Sequence, residues 1–262
     1  MELFANIYQY LLIIMTILGV GVFITLQFVT PAYGMTFNNR WGVSIRSNLG
    51  WFIMEAPVFF AMLALYFISL YFNIRPFNIV TFTMFFFFEF HYFQRSFIFP
   101  LLMRGQSKMP LSIIITGFTF NTCNALMQGG WLFFFSPLDR YPISWFWSPQ
   151  FIIGTGIFLF GMVVNLYADR VIRNLRMNDM DNNYYLPEGW MFRRISSANY
   201  LGEILEWLGF AILTWSVAGL VFLIWTFANI VPRSKAVYER YTQFFGEKFT
   251  SQKRYKIFPG IY

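Results

Sequence analysis

Asn165, Asp169, Arg173 and Arg176 follow one another at intervals of four, four and three residues. A helix would carry all of them on one face. Arg170, Arg193 and Arg194 crowd the same polar stretch, with Asn174, Asn178, Asn182, Asn183, Tyr184 and Tyr185 among them. Asn199, Glu203 and Glu206 form a second polar stripe a little further on. Guanidinium groups bind phosphate through charge-assisted hydrogen bonds, and amides and carboxylates can grip ribose or carboxamide groups. Such a mixture suits a large, multiply charged, water-soluble ligand. The competing reading is a salt-bridge network in which Asp169 and Glu203 neutralise the arginines.

A second set of reactive types lies inside apolar runs, where ionisable groups are costly and mark function by default. They are Glu55, Glu89, Arg95 and the pair Glu203 and Glu206. Glu55 follows Trp51-Phe52-Ile53-Met54, so nothing local pairs with it. A protonated carboxyl there can donate a hydrogen bond to a substrate oxygen. Its structural alternative is a partner for Arg46 or Arg95. Tyr92 sits about 15 Å from the end of its run near Leu102, at 1.5 Å per helical residue. Glu55 lies at a similar depth. A phenol and a carboxyl side by side make two donors for a developing oxyanion, although Tyr92 could equally be structural. His91 points about 100° away from Tyr92 on a helix and is free to bond a neighbouring helix.

The elements that must position these groups follow from composition. Of the 262 residues, 57% are hydrophobic and only 12% are charged, about half the charged share of a soluble domain. A membrane crossing needs about 20 mostly apolar residues. Spans are expected near 7–30, 51–72, 78–102, 111–135, 150–170, 198–215 and 218–239, with the last two turning at Ser216, Ala218 and Gly219. The expectation is therefore an all-α polytopic integral membrane protein, a single seven-helix domain over 1–262. Its first apolar run is expected to remain as a span, since it lacks a basic leader and a cleavage site.

The net charge of +7 follows from basic residues between spans, which fits the positive-inside rule better than nucleic-acid binding. With the N-terminus outside, sixteen of the nineteen Lys and Arg residues face the cytoplasm. They include Arg40, Arg46, Arg104, Lys108, the five arginines above and the C-terminal tail. Only Arg75 and Arg140 face outside. One Cys and one His exclude an internal disulfide and multi-His or Cys-cluster metal sites, so no metal is expected. No GxGxxG or P-loop occurs, so a Rossmann domain is excluded.

Several segments together resemble the steroid 5α-reductase family. They are Trp51-Phe-Ile-Met-Glu55, His91-Tyr-Phe-Gln-Arg95, Arg104-Gly105, Gly161 through Asn165, Asp169, Arg173 and Arg176, Ala198-Asn-Tyr-Leu-Gly-Glu-Ile-Leu-Glu206-Trp207, and Arg254 with Pro259. The resemblance implies seven spans and NADPH-dependent reduction of the 4,5 double bond of a 3-oxo-4-ene steroid. Tyr92 and Glu55 would bind the 3-oxo oxygen, with hydride going to carbon 5. Arg95, Asn165, Asp169, Arg173, Arg176, Tyr184, Asn199, Glu203 and Tyr241 would meet the cofactor. The chain departs from the family pattern at Met54, Met103, Gln106, Tyr185 and the region of Val237 and Tyr238. The lost Arg and His bear on the choice between NADPH and NADH. A bacterial inner membrane, with the active site open to the cytoplasm and no obligate protein partner, is the expected setting. Three alternatives stay open: a related reductase of an enoyl thioester or polyprenal, a membrane methyltransferase using S-adenosylmethionine, and a transporter or structural protein.

Overall fold

A computed structural model describes residues 2–30, 34, 37, 41–176 and 183–262. Arg40, Asn178 and Asn182 lie outside the described residues. The chain runs through α1 (Glu2–Thr25), α2 (Ser47–Tyr71), α3 (Ile79–Phe93), α4 (Phe99–Leu102), α5 (Leu111–Gly130), α6 (Pro149–Asn174), α7 (Ala198–Thr214), α8 (Val217–Phe245) and α9 (Glu247–Thr250). A π-helical turn, Gln94–Ile98, joins α3 to α4, and another, Trp131–Phe135, extends α5. Helix is thus present at each of the seven expected places. Among the described residues, four helices, α1, α2, α6 and α8, are long and apolar enough by themselves to cross a membrane. The others differ for visible reasons. α3 is cut short by its π turn, α5 carries buried Asn121, Asn124 and Gln128, and α7 has 17 residues.

Two details correct the sequence reading. The rim is not all helical: β1 (Ser44–Arg46) pairs antiparallel with β2 (Lys108–Pro110), Ile45 opposite Met109. This ribbon ties the loop before α2 to the loop before α5 at one end of the bundle. The hairpin between α7 and α8 also turns earlier than expected. Trp215 takes a left-handed conformation with φ 45°, a conformation that costs a bulky residue on the order of 1–3 kcal/mol. The Ser216 hydroxyl then caps α8 by accepting the Gly219 N–H at 3.0 Å, so Ala218 and Gly219 already belong to the helix.

Glycines explain why α6 and α7 pack as the closest pair. Gly154 and Gly161 on α6 face Gly209 and Gly202 on α7. A Cβ on Gly161 would stand 2.4 Å from the Glu206 backbone nitrogen, and one on Gly202 would stand 2.5 Å from that of Asn165. Between apolar helices in lipid, such small residues allow the backbone contact that dispersion forces need. Trp207, fully buried, then anchors the core, with ring centroids 4.3 Å from Phe222 and 5.7 Å from Phe88 and from Tyr92. Aromatic contacts of this kind each add about 0.5–1.5 kcal/mol beyond burial.

The two ends of the bundle differ in charge. At one end Arg75 donates to the carbonyl oxygens of Phe134 and Ser136, and Arg140 donates to that of Trp215. These bonds satisfy carbonyls left open at helix ends. Arg104, Arg173, Arg176 and Arg233 gather at the opposite end, where Gly34, beyond α1, also lies. The start of α1 lies at the other end, with Tyr8 stacked on Phe135 at 4.6 Å.

Candidate functional site

Glu55 and Tyr92 are both tied to α5. Pro57 on α2 has no N–H to close the helical ladder behind it. Beside it, the Asn121 amide donates to the Met54 carbonyl at 2.8 Å and to Glu55 Oε2 at 3.1 Å. One turn along α5, Asn124 Nδ2 donates to the Tyr92 hydroxyl oxygen at 3.1 Å. Gln128 Nε2 donates to Asn124 Oδ1 at 3.2 Å and to the Ala218 carbonyl of α8 at 2.9 Å. Asn121, Asn124 and Gln128 thus form a buried amide stripe at i, i+3 and i+7. Sequence reasoning passed over it, although three amides at helical spacing inside an apolar run were the available signal.

A hydrogen bond ties α3 to α7, and an ion pair ties the π turn to α6. His91 Nδ1 and Glu206 Oε2 are 2.5 Å apart, so His91 does bond a neighbouring helix. The π turn just beyond Tyr92 sends Arg95 into the bundle, where Nη1 donates to Asp169 Oδ2 at 3.0 Å. The Arg95 guanidinium also lies over Phe99 at 4.4 Å and Trp51 at 4.9 Å. The ion pair differs from the network of the competing reading: Asp169 pairs with Arg95 of the π turn rather than with the arginines at the end of α6, and it is also a wall of the cavity beside it. Glu203 acts electrostatically on both Arg95 and His91 without lining that cavity. Asn165 is buried, and its Nδ2 donates to the Asn199 carbonyl at 3.0 Å, fastening α6 to α7.

The cavity at the arginine end has a volume of about 240 Å³. Asp169, Arg173, Arg176, Asn199 and Tyr241 of the sequence candidates line it, and so do Arg104 and Arg233. Arg104 Nη1 donates to the Arg176 carbonyl at 2.9 Å, and Arg176 Nη1 donates to the Arg104 carbonyl at 2.7 Å. This reciprocal clasp joins the end of α4 to the end of α6. Arg233 Nε donates to the Tyr200 hydroxyl at 2.6 Å. Four guanidinium groups with hydroxyls and an amide around one cavity make a donor set that fits a phosphate-bearing ligand. Tyr184 stands outside the lining, its ring 4.9 Å from Phe244. Behind the cavity, Arg254 of the tail donates to the Pro187 carbonyl at 2.7 Å. Tyr255 also pairs with Ile195, so the tail holds the α6–α7 loop in place.

Known proteins resemble the chain along most of its length. A family profile described as 3-oxo-5-alpha-steroid 4-dehydrogenase matches residues 107–262. The chain is 34% identical to a steroid 5-alpha-reductase of Solanum lycopersicum over 98% of both chains. It is 31% identical to a 3-oxo-5-alpha-steroid 4-dehydrogenase 1 of Bos taurus, over 91% of this chain and 90% of that one. With the Homo sapiens protein of the same name, identity is 33% over 87% of this chain and 86% of the relative. These relatives come from a plant and two mammals, which lends no support to a bacterial setting. Matched over most of its length, with the Gly202, Glu206 and Trp207 run each engaged in the helix contacts described above, the chain belongs to the steroid 5-alpha-reductase (3-oxo-5-alpha-steroid 4-dehydrogenase) family of oxidoreductases.

Proposed function

We propose that this protein reduces the 4,5 double bond of a 3-oxo-4-ene steroid, using NADPH. The observation that carries the reading is the pair of side chains held by α5. Asn121 orients Glu55 and Asn124 orients Tyr92, so both can present to one carbonyl oxygen. Bound in the arginine-lined cavity, NADPH would supply the hydride that adds to carbon 5. As that carbon gains the hydride, the double-bond electrons shift toward the 3-oxo oxygen as an enolate. Tyr92 and Glu55 stabilise that oxygen most strongly when it carries the developing charge. A proton, supplied in net from solvent, then adds to carbon 4, which completes the addition of two hydrogens. The apolar core around Trp207 and Phe88 keeps water from the enolate.

Arg104, Arg173, Arg176 and Arg233 supply the charge for the cofactor phosphates, and Asn199 supplies polar contacts. Seven crossings are proposed, supported by helix at each of the seven expected places, with the arginine end in the cytoplasm by the positive-inside rule and the steroid entering from lipid. A reporter fused at the C-terminus is expected on the cytoplasmic side, and a reporter found on the far side overturns this orientation. The functional test is turnover by the purified protein of an enone steroid with NADPH, and with NADH in parallel. The 5α-reduced product, formed faster with NADPH, is expected. Reduction of an enoyl thioester or a polyprenal with no action on the steroid would move the assignment to another lipid reductase.

A further inference from the structure

The β1–β2 ribbon carries positive charge that nothing beside it balances. Ile45 lies opposite Met109, and this pair faces the bundle, packed with Met54 and Ile114. Successive side chains of a strand alternate between faces, so the next pair, Arg46 opposite Lys108, is on the outer face. Both side chains are exposed. Like charges directly opposite across two strands repel. Among the described residues, no carboxylate pairs with either cation.

Two long helices begin at the same place. β1 leads into α2 and β2 into α5, helices of 25 and 20 residues. The N-terminus of a helix is the positive end of its dipole. Neither Arg46 nor Pro110 at the N-cap positions supplies a side-chain cap, and neither first turn holds an acid. The ribbon occupies the Ser47 and Leu111 N–H groups through the Ser107 and Val43 carbonyls, but it leaves the dipoles uncompensated. An Arg at the head of α2 is the reverse of what a helix dipole favours. Ser47, the first residue of α2, is 3% exposed, and its hydroxyl has no hydrogen-bond partner. Two cations, two positive helix ends and an unmatched hydroxyl therefore converge. A negatively charged ligand would relieve all of them.

The surroundings say which anion fits. Lys108 follows by four residues Arg104, which lines the cavity, so the ribbon lies at the arginine end of the bundle. Val43 before β1, Leu49 on α2 and Leu111 on α5 are exposed beside it. A soluble anion would leave these aliphatic side chains in water. A phosphate carried on acyl chains would cover them, and anionic headgroups attract basic residues at this level of a bilayer. We propose that the ribbon binds the headgroup phosphate of an anionic phospholipid in the leaflet at the arginine end. Arg46 and Lys108 hold the phosphate from the two strands, and Val43, Leu49 and Leu111 lie against the lipid.

The test is thermal unfolding of the full chain in detergent, titrated with a short-chain phosphatidylglycerol. Phosphatidylcholine of the same chain length and inorganic phosphate are titrated in parallel. Phosphatidylglycerol is expected to raise the melting temperature, and the other two to change it little. Arg46→Gln and Lys108→Gln should each weaken the apparent affinity about fivefold, the scale of one basic residue at an anionic surface. Lys248→Gln, an exposed basic residue on α9, should leave it unchanged. Lys108→Glu gives Arg46 an opposite charge across the ribbon. It is expected to raise the melting temperature without lipid and to abolish the response to phosphatidylglycerol. Should one variant fold poorly, the others carry the same comparison. An equal response to phosphatidylcholine or to inorganic phosphate overturns the inference. So does a response kept in the folded ribbon variants, or one weakened as much by Lys248→Gln. None of these outcomes touches the reductase reading.

Discussion

Asn124 donates its side-chain N–H to the Tyr92 hydroxyl oxygen at 3.1 Å, and its own carbonyl accepts from Gln128 at 3.2 Å. The Gln128 bond fixes which way the Asn124 amide points. Because the Tyr92 oxygen is already an acceptor, its proton is directed elsewhere, toward whatever oxygen lies in the site. Gln128, Asn124 and Tyr92 form a chain in which each donor polarises the next. Asn124→Ala is therefore expected to lower kcat by about tenfold, the scale of one buried hydrogen bond, with little change in KM for the steroid. Asn124→Asp should be worse, because a carboxylate only accepts and would take the Tyr92 proton for itself. Steady-state kinetics on the two variants checks this, and wild-type kcat in Asn124→Asp would contradict it.

Glu55 is expected to act as the second donor beside Tyr92. Glu55→Leu should lose roughly 100-fold in kcat, the scale for removing one oxyanion donor. Glu55→Gln should lose far less, since its amide still donates. Equal losses in the two variants would mean that Glu55 serves another purpose, such as balancing the charge of Arg95.

The cavity separates binding from architecture. Arg173 lines it, while Arg176 both lines it and clasps Arg104. Arg173→Ala is expected to weaken NADPH binding about ten- to a hundredfold, the loss of a hydrogen bond to a charged group, with a nearly unchanged melting temperature. Arg176→Ala should weaken binding and also lower the melting temperature. NADPH affinity in the wild type should fall as salt rises, because exposed charge pairs are screened. Calorimetric affinity and thermal unfolding on the same samples decide the matter. An Arg173→Ala protein that binds NADPH as the wild type does would return these arginines to architecture.

The α6–α7 seam makes a separate prediction about stability. A Cβ at Gly202 would meet the Asn165 backbone at 2.5 Å, whereas one at Gly156 would have nothing within 4 Å. Gly202→Ala is expected to cost about 1–3 kcal/mol, the usual range for overpacking, and to loosen the Asn165–Asn199 tether. Gly156→Ala should be neutral. Thermal unfolding in detergent compares them directly, and equal melting temperatures would mean that the seam yields without cost.

Much of this arrangement was legible before any helices were packed. Hydropathy bounded the helices to within about six residues, with α1 beginning and ending five residues earlier than expected and α8 ending six later. The spacing of Asp169, Arg173 and Arg176 put them on one face, and all three reach the cavity. Depth put Tyr92 and Glu55 at one level, but that α5 holds both was not visible. The missing parts depend on which helices meet. Asn121, Asn124 and Gln128 look like any amides in a span until α5 brings them to Glu55, Tyr92 and the start of α8. Arg95 and Asp169 are 74 residues apart, and they meet because a π turn changes the helical register, a backbone event with no hydropathy signature. The seven-residue spacing of Gly154 with Gly161 and of Gly202 with Gly209 is visible in the chain. That the two pairs face each other is not.

The reductase reading rests on hydride addition to a carbonyl-activated double bond, with Tyr92 holding the oxygen. The most direct measurement is turnover of a 3-oxo-4-ene steroid with NADPH carrying deuterium at its transferable position, by the wild type and by Tyr92→Phe side by side. Deuterium is expected at carbon 5 in the wild-type product, with a rate at least ~100-fold lower in Tyr92→Phe. Deuterium at another carbon, or a Tyr92→Phe rate close to that of the wild type, would contradict it.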